Sequence, residues 1–169
     1  MSQTWTTRAE TGADIPAVRR IHLAAFDTPL EADLVDALRT DPAWLDGLSV
    51  VAADPAGRAV GHALLTRCHV DEVPALCLAP VAVLPAYQRT GAGTAAVRAV
   101  LDAARARGEH CVVVLGDPAY YPRFGFGRAR AHGIRITLDV PDEALMVLAL
   151  DGSRSLPRGT VRYAAPFGI

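Results

Sequence analysis

Apolar positions along this chain change period several times, and each change marks an element. Residues 5–10 alternate enough for a first strand. From Asp14, read as an N-cap, the residues Ile15, Val18, Ile21, His22 and Ala25 recur at helical spacing and predict a helix to Phe26. Thr28-Pro29-Leu30-Glu31 has the form of a capping box with proline at the first helical position. The helix it opens turns Leu30, Leu34, Ala37 and Leu38 inward and stops near Asp41-Pro42.

Residues 48–53 and 58–70 read as two strands of a hairpin joined by Asp54-Pro55-Ala56-Gly57. After a turn at 71–74, residues 75–84 are almost continuously apolar, which predicts a central strand. Pro80 sits inside it and has no N–H for a ladder, so the strand should bulge or part from a neighbour there. A polar turn with two glycines follows, then an alanine-rich helix over 91–107 with Val97, Val100, Leu101 and Ala104 as its buried stripe and Gly108 as its stop. Residues 111–115, CVVVL, are a fully buried strand. Strand 75–84, the helix and strand 111–115 predict a right-handed βαβ unit with parallel strands. Asp117-Pro118 opens a short helix that ends at Gly125, and 134–138, 144–150 and 160–163 read as further strands. No repeat or linker interrupts the pattern, so residues 1–169 are expected to form a single α/β domain.

Composition narrows the chemistry. The formal net charge is −1, so no overall field recruits nucleic acid or an anionic membrane. All 17 basic residues are arginine, which removes a Walker lysine and a lysine Schiff base. Cys68, Cys77 and Cys111 are odd in number and widely spaced, and the five histidines form no HExxH pair; reduced thiols and no metal site are expected. The polar start MSQTWTTRAE lacks the apolar core of a secretion signal, and no apolar run approaches the ~20 residues that span a bilayer; a cytoplasmic protein is the expectation.

Two clusters could carry chemistry. Gln88-Arg89-Thr90-Gly91-Ala92-Gly93-Thr94 joins a strand to a helix N-terminus. Glycines there let successive N–H groups form an anion nest at the positive end of a helix dipole. Arg89 can add a charge-assisted bond to phosphate. The same glycines fit a looser dinucleotide pattern, but residues 85–90 separate them from the strand, and too few βα units follow for a doubly wound sheet. The second cluster, Gly116-Asp117-Pro118-Ala119-Tyr120-Tyr121-Pro122-Arg123-Phe124-Gly125-Phe126, follows the C-terminal end of a parallel strand, where ligands gather in α/β sheets. A tyrosine is protonated at neutral pH and can act as an acid.

Together the two clusters resemble the GNAT superfamily of N-acetyltransferases. Gln88 to Gly93 match its [Gln/Arg]-x-x-Gly-x-[Gly/Ala] signature, and Tyr121 stands four residues before Gly125-Phe126. Residues 78–126 are similar to a bacterial subgroup with the motif Gly-Asp-Pro-x-Tyr-Tyr-x-Arg-Phe-Gly-Phe. The resemblance implies a GNAT fold: a central mixed sheet, split between its fourth and fifth strands and flanked by helices. It implies acetyl-CoA as co-substrate and no metal. Backbone groups of Val81, Ala82 and Val83 would hold the pantetheine arm, and Gln88, Arg89, Thr90, Gly91, Ala92, Gly93 and Thr94 the pyrophosphate. A backbone N–H near Val81 or Ala82 would stabilise the oxyanion, and Tyr121 would protonate the leaving thiolate. The acceptor is expected to be a primary amine, small or peptidic, attacking directly in a ternary complex; a second copy of the chain is a candidate partner.

The sequence departs from the family at the base. Cys77 stands eleven residues before Gln88, where many members carry Glu. Glu72, His69 and Asp117 are the remaining candidates, or water relays the proton. The rival function is an acyl-CoA-binding module that does no chemistry. The first two helices, the Trp44 loop and the C-terminal strands would form the acceptor wall, and none carries a diagnostic motif.

Overall fold

A computed structural model describes residues 4–169. The reading of the polar N-terminus falls partly on residues 1–3, outside the described residues. The element order is β1 (Thr6–Ala9), α1 (Ile15–Ala25), α2 (Leu30–Arg39), β2 (Trp44–Ala53), β3 (Ala59–Val70), β4 (Val73–Val83), α3 (Ala92–Ala106) and β5 (Cys111–Leu115). Four short strands complete it: β6 (Gly127–Arg128), β7 (Ile134–Arg135), β8 (Leu145–Ala149) and β9 (Gly159–Arg162). The sheet runs β1-β2-β3-β4-β5-β8-β6, with β9 pairing the end of β3 and also β7. Within that path β4–β5 is the parallel pair and its neighbours are antiparallel. This is the mixed α/β sheet that the sequence predicts.

The alternation of each strand sorts its side chains onto two faces. On one, the Ala96–Val97–Val100–Leu101–Ala104 stripe of α3 packs on Leu65, Leu76, Leu78, Val112 and Val114. On the other, Val18 and Ile21 of α1 and Val35 and Leu38 of α2 pack on Val51, Val60, Leu64 and Ala82. Farther along that second face, Ile134, Val147 and Val161 cover Cys68, Ala75, Cys77 and Val113. The three cysteines are free and buried.

Several expected details differ. Asp14 does not cap α1 through its side chain; it closes a single 3-10 turn ahead of it, accepting the Thr11 N–H at 2.8 Å and a two-pronged bond from Arg8 at 2.6 and 2.8 Å. Ile15 is exposed. α2 is rotated about its axis relative to the expected face: Ala32, Val35 and Leu38 are buried, whereas Leu30 and Ala37 are exposed. At the end of α2, the Arg39 guanidinium is ion-paired with the Glu10 carboxylate. The expected Thr28 capping box does not form: Pro29 is the N-cap of α2, no side chain caps it, and Thr28 Oγ1 instead lies 3.4 Å from both Glu31 Oε2 and Leu30 N. The segment after Asp117 forms a 3-10 turn over Tyr121–Phe124 rather than a helix from Asp117.

One polar chain is buried between α1 and the sheet. His22 Nε2 lies 2.8 Å from His62 Nδ1, and His62 Nε2 lies 2.7 Å from Ser49 Oγ. Ser49 donates to Glu10 Oε1 at 3.0 Å, and Arg39 closes the chain on Glu10. Both imidazoles are fully buried. Burial holds His22 down at about 4, with the charge of Arg39 adding to it. Burial lowers His62 well below its ordinary value, followed by the His22 and Arg39 charges.

The sign for stability follows. Between pH 6.5 and 4 the unfolded chain takes up protons that the folded imidazoles refuse, so stability is complete above 6.5 and falls as the pH drops through that window. The loss is about 1.4 kcal/mol per pH unit for each imidazole. Urea unfolding at pH 7.5 and pH 5 should therefore show a loss on the order of 2 kcal/mol from His22 alone. A His22→Gln chain should show a shallower pH slope. Equal stability of the wild-type chain at the two pH values would mean that the imidazoles are not held neutral.

Candidate active site

The site begins where β4 loses a neighbour. β4 pairs with β3 along its length, but with β5 only at Leu76↔Val112 and Cys77↔Val113. Beyond Cys77 the two parallel strands part. The register against β3 also slips there: Ala63 faces Val81, yet Leu65 faces Leu78, so β4 holds one extra residue at Ala79-Pro80. The bulge and the parting expected at Pro80 are both present, as a missing N–H requires.

The bulge decides which backbone groups of β4 face the gap. Leu84 donates to the Val60 carbonyl at 2.8 Å. An antiparallel ladder alternates, so Ala82 bonds to His62 of β3, while Val81 and Val83 turn their N–H and C=O toward the side that β5 has left. Of the three residues expected along the pantetheine arm, Val81 and Val83 carry the free edge and Ala82 is engaged with β3. The Val83 carbonyl already accepts Gln88 Nε2 at 3.2 Å.

α3 starts against this edge. Gly91 is its N-cap with φ +92°, a left-handed conformation that a side chain would strain. The first helical bond is Ala95 N–H to the Gly91 carbonyl at 2.9 Å. Among the described residues, no protein acceptor meets the N–H groups of Gly91, Ala92, Gly93 and Thr94. They are the orphan donors of a helix start, and they converge at its positive end. Gly93 lies so close to β4 that an added Cβ would sit 3.0 Å from Val83 Cγ2. Arg89 adopts φ +62° and its guanidinium has no hydrogen-bond or ion-pair partner among the described residues. Trp5 Nε1 donates to the Thr90 carbonyl at 3.0 Å and its ring meets Tyr87 edge-on, so the strand at the sheet edge anchors the loop.

The tyrosine cluster closes the far side. Tyr120 Oη and Thr94 Oγ1 are hydrogen-bonded at 3.0 Å, and the Arg123 guanidinium stacks 4.1 Å over the Tyr120 ring. Tyr121 packs edge-on to Tyr120 and Phe126 and leans on the core under α3. Burial pushes its hydroxyl up to about 12, with Tyr120 and Asp117 adding to the shift. It stays protonated throughout the neutral range. An added Cβ at Gly116 would lie 2.5 Å from Tyr121 Cε2, so that glycine makes room for the ring.

The candidates for a base are scattered. Burial pushes the Cys77 thiol up to about 12, which excludes it as a base near pH 7. His69 and Glu72 lie at the opposite end of the β3–β4 hairpin, where His69 faces Pro74 and Glu72 faces Arg162 at 3.5 Å. Asp117 is near Tyr121, but its Oδ1 accepts the Ala119 N–H at 2.8 Å. Among the described residues, no group of three or more His, Cys, Asp or Glu is arranged to hold a metal ion. The sequence reading named Tyr120 within the second cluster but gave it no role, and it did not place Trp5 at the site; their contacts span 26 and 85 residues.

Residues 15–126 match the family described as "Acetyltransferase (GNAT) family". The chain is 35% identical to the uncharacterized N-acetyltransferase YjhQ of Escherichia coli K12, over 91% of this chain and 89% of that one. It is 32% identical to the uncharacterized N-acetyltransferase YhbS of the same strain, over 95% and 96%. The crystal structure of E. coli YhbS in complex with CoA superposes with a TM-score of 0.91 at 29% identity, covering 100% of this chain and 94% of that one. A GNAT family acetyltransferase from Brucella melitensis, in complex with acetyl-CoA, gives 0.79 at 30% identity, over 98% and 99%.

Gly116→Ala tests the packing of this site. It should destabilise the chain by roughly 1–3 kcal/mol, because the Tyr121 ring has to shift. Gly152→Ala, where an added Cβ meets nothing within 4 Å, should change stability by less than about 0.5 kcal/mol. Urea midpoints of the two variants that coincide would contradict the crowding.

Proposed function

The chain belongs to the acetyltransferase (GNAT) family, and we propose that it moves the acetyl group of acetyl-CoA to a primary amine, small or peptidic, by direct attack in a ternary complex. Residues 1–169 are read as one such domain working in the cytoplasm. One observation carries this reading: the unengaged N–H groups at the start of α3 stand beside the unpaired edge of β4, with Tyr120 hydrogen-bonded to Thr94 of that start and Tyr121 packed on Tyr120. A diphosphate fits the first feature, and an extended amide-bearing arm fits the second as an added strand.

The amides of Gly91 to Thr94 bind the pyrophosphate, with Gln88 and Arg89 at its rim. Val81 and Val83 pair with the pantetheine amides. The Val81 N–H lies on the gap side and polarises the thioester carbonyl. The amine nitrogen attacks that carbon, the C–S bond breaks, and the proton of Tyr121 Oη goes to the departing sulfur. The amine loses its own proton to water, since neither Cys77 nor the hairpin residues serve as a base at the gap. Water then restores the tyrosine.

Release of free thiol from acetyl-CoA with a panel of amines tests the activity. Tyr121→Phe should lower kcat roughly 10²-fold with acetyl-CoA binding intact. Since the Tyr121 hydroxyl is held at about 12, it contributes no fall in rate on the alkaline side below about pH 11. Binding of acetyl-CoA with no turnover of any amine, and no effect of Tyr121→Phe, would favour the non-catalytic module instead. Tyr120→Phe removes the bond to Thr94 and should weaken acetyl-CoA binding a few-fold with kcat almost unchanged, measured by calorimetry and initial rates.

A further inference from the structure

A second concave surface lies at the other end of the molecule. Asp71, Arg130, Gly133, Arg135, Arg158 and Gly159 line a cavity of about 450 Å³. Arg158 also lines an adjoining cavity of about 470 Å³, together with Arg154 and His132. Asp71 ends β3 in the tight turn before β4, whereas the acyl gap opens at the far end of β4. At ~3.3 Å per residue the two sites are roughly 25 Å apart.

Three guanidinium groups share this trough. Arg130 is paired with Asp142 at 3.1 Å. Among the described residues, Arg135 and Arg158 have no acidic partner. With Arg130 spent on Asp142, two guanidinium groups face the single carboxylate of Asp71 across the cavity, so a positive charge is left over, and on a chain of net charge −1 that excess is not a general property of the surface. Arg158 is also held in place. An added Cβ at Gly133 would meet its Nε at 2.7 Å, so the side chain lies flat on the glycine backbone. Asp71 is fixed in the same way: its Oδ1 accepts the Thr160 N–H at 2.9 Å, and its carboxyl group sits where a side chain on Gly159 would be. Its Oδ2 is left for another donor.

We propose that this trough binds a phosphorylated, hydroxyl-bearing small molecule of the sugar-phosphate class. Arg135 and Arg158 take the phosphate, the residue type that grips it in a fork. Asp71 accepts a hydroxyl. The cavity is lined by arginine, aspartate and glycine, which suits a polar body better than an acyl one. The volume lies in the range of small-molecule sites and exceeds what a bare phosphate fills.

Calorimetry on the full chain at constant ionic strength tests this, with glucose 6-phosphate, ribose 5-phosphate and glycerol 3-phosphate as probes, and inorganic phosphate and glucose as controls. At least one of the three esters should bind more tightly than inorganic phosphate, and glucose should not bind. The Arg135→Gln/Arg158→Gln double variant should weaken the ester at least tenfold, while its acetyl-CoA binding stays unchanged and so reports an intact fold. Asp71→Asn should weaken the ester but not inorganic phosphate. No binding of any ester, binding that survives the double variant, or inorganic phosphate equalling the best ester would overturn the proposal. The acetyl-CoA measurement is separate, so this site can fail while the transferase reading stands.

Discussion

β4 is zipped to β3 from end to end and to β5 for only two residue pairs. The rest of the functional architecture depends on that incomplete pairing. A fully paired β4 would have no main-chain donors or acceptors left for a ligand. Pro80 cannot donate, and the extra residue at Ala79-Pro80 turns the ladder, so Val81 and Val83 present their polar groups to the gap. The same divergence admits the start of α3. Gly93, lacking a side chain, lets that start press on Val83, so the helix amides and the open strand edge become one surface.

The two sides of the sheet are held by different physics. Under α3 the contact is almost wholly alanine, valine and leucine, and the aromatic cluster of Tyr121, Phe124 and Phe126 finishes it at the gap. Under α1 and α2 the apolar contact is interrupted by His22, His62, Ser49, Glu10 and Arg39. Buried polar groups are costly unless paired, and this chain pairs its members in sequence while leaving His22 Nδ1 and Arg39 Nε without a hydrogen-bond partner among the described residues.

The charge of the molecule is divided as well. Arginine is the only cationic side chain other than histidine, and its fork is used where a rigid tie is needed: Arg8 on Asp14, Arg39 on Glu10, Arg67 on Glu109. The arginines of the C-terminal region are not all spent in this way, and they concentrate at the end of the sheet remote from the gap between β4 and β5.

Local chemistry was enough to read most of the elements. Hydrophobic period, turn residues and the glycines before α3 are short-range signals, and they located β3, β4, α3 and β5, the parallel crossover, the break at Pro80 and the free helix start. Tyr121 was named as a candidate from the resemblance, because it stands four residues before Gly125-Phe126. Other features were decided only when distant segments met. Arg39 at the end of α2 found Glu10, which lies 29 residues away. Tyr120 became part of the site through Thr94, and Trp5 through Thr90. The division of labour between Val81, Ala82 and Val83 came from the register with β3, and the basic trough from the meeting of the β3–β4 turn with the C-terminal strands. A sequence states what each residue can donate, accept or bury; which partner it finds is set by the packing of the whole chain.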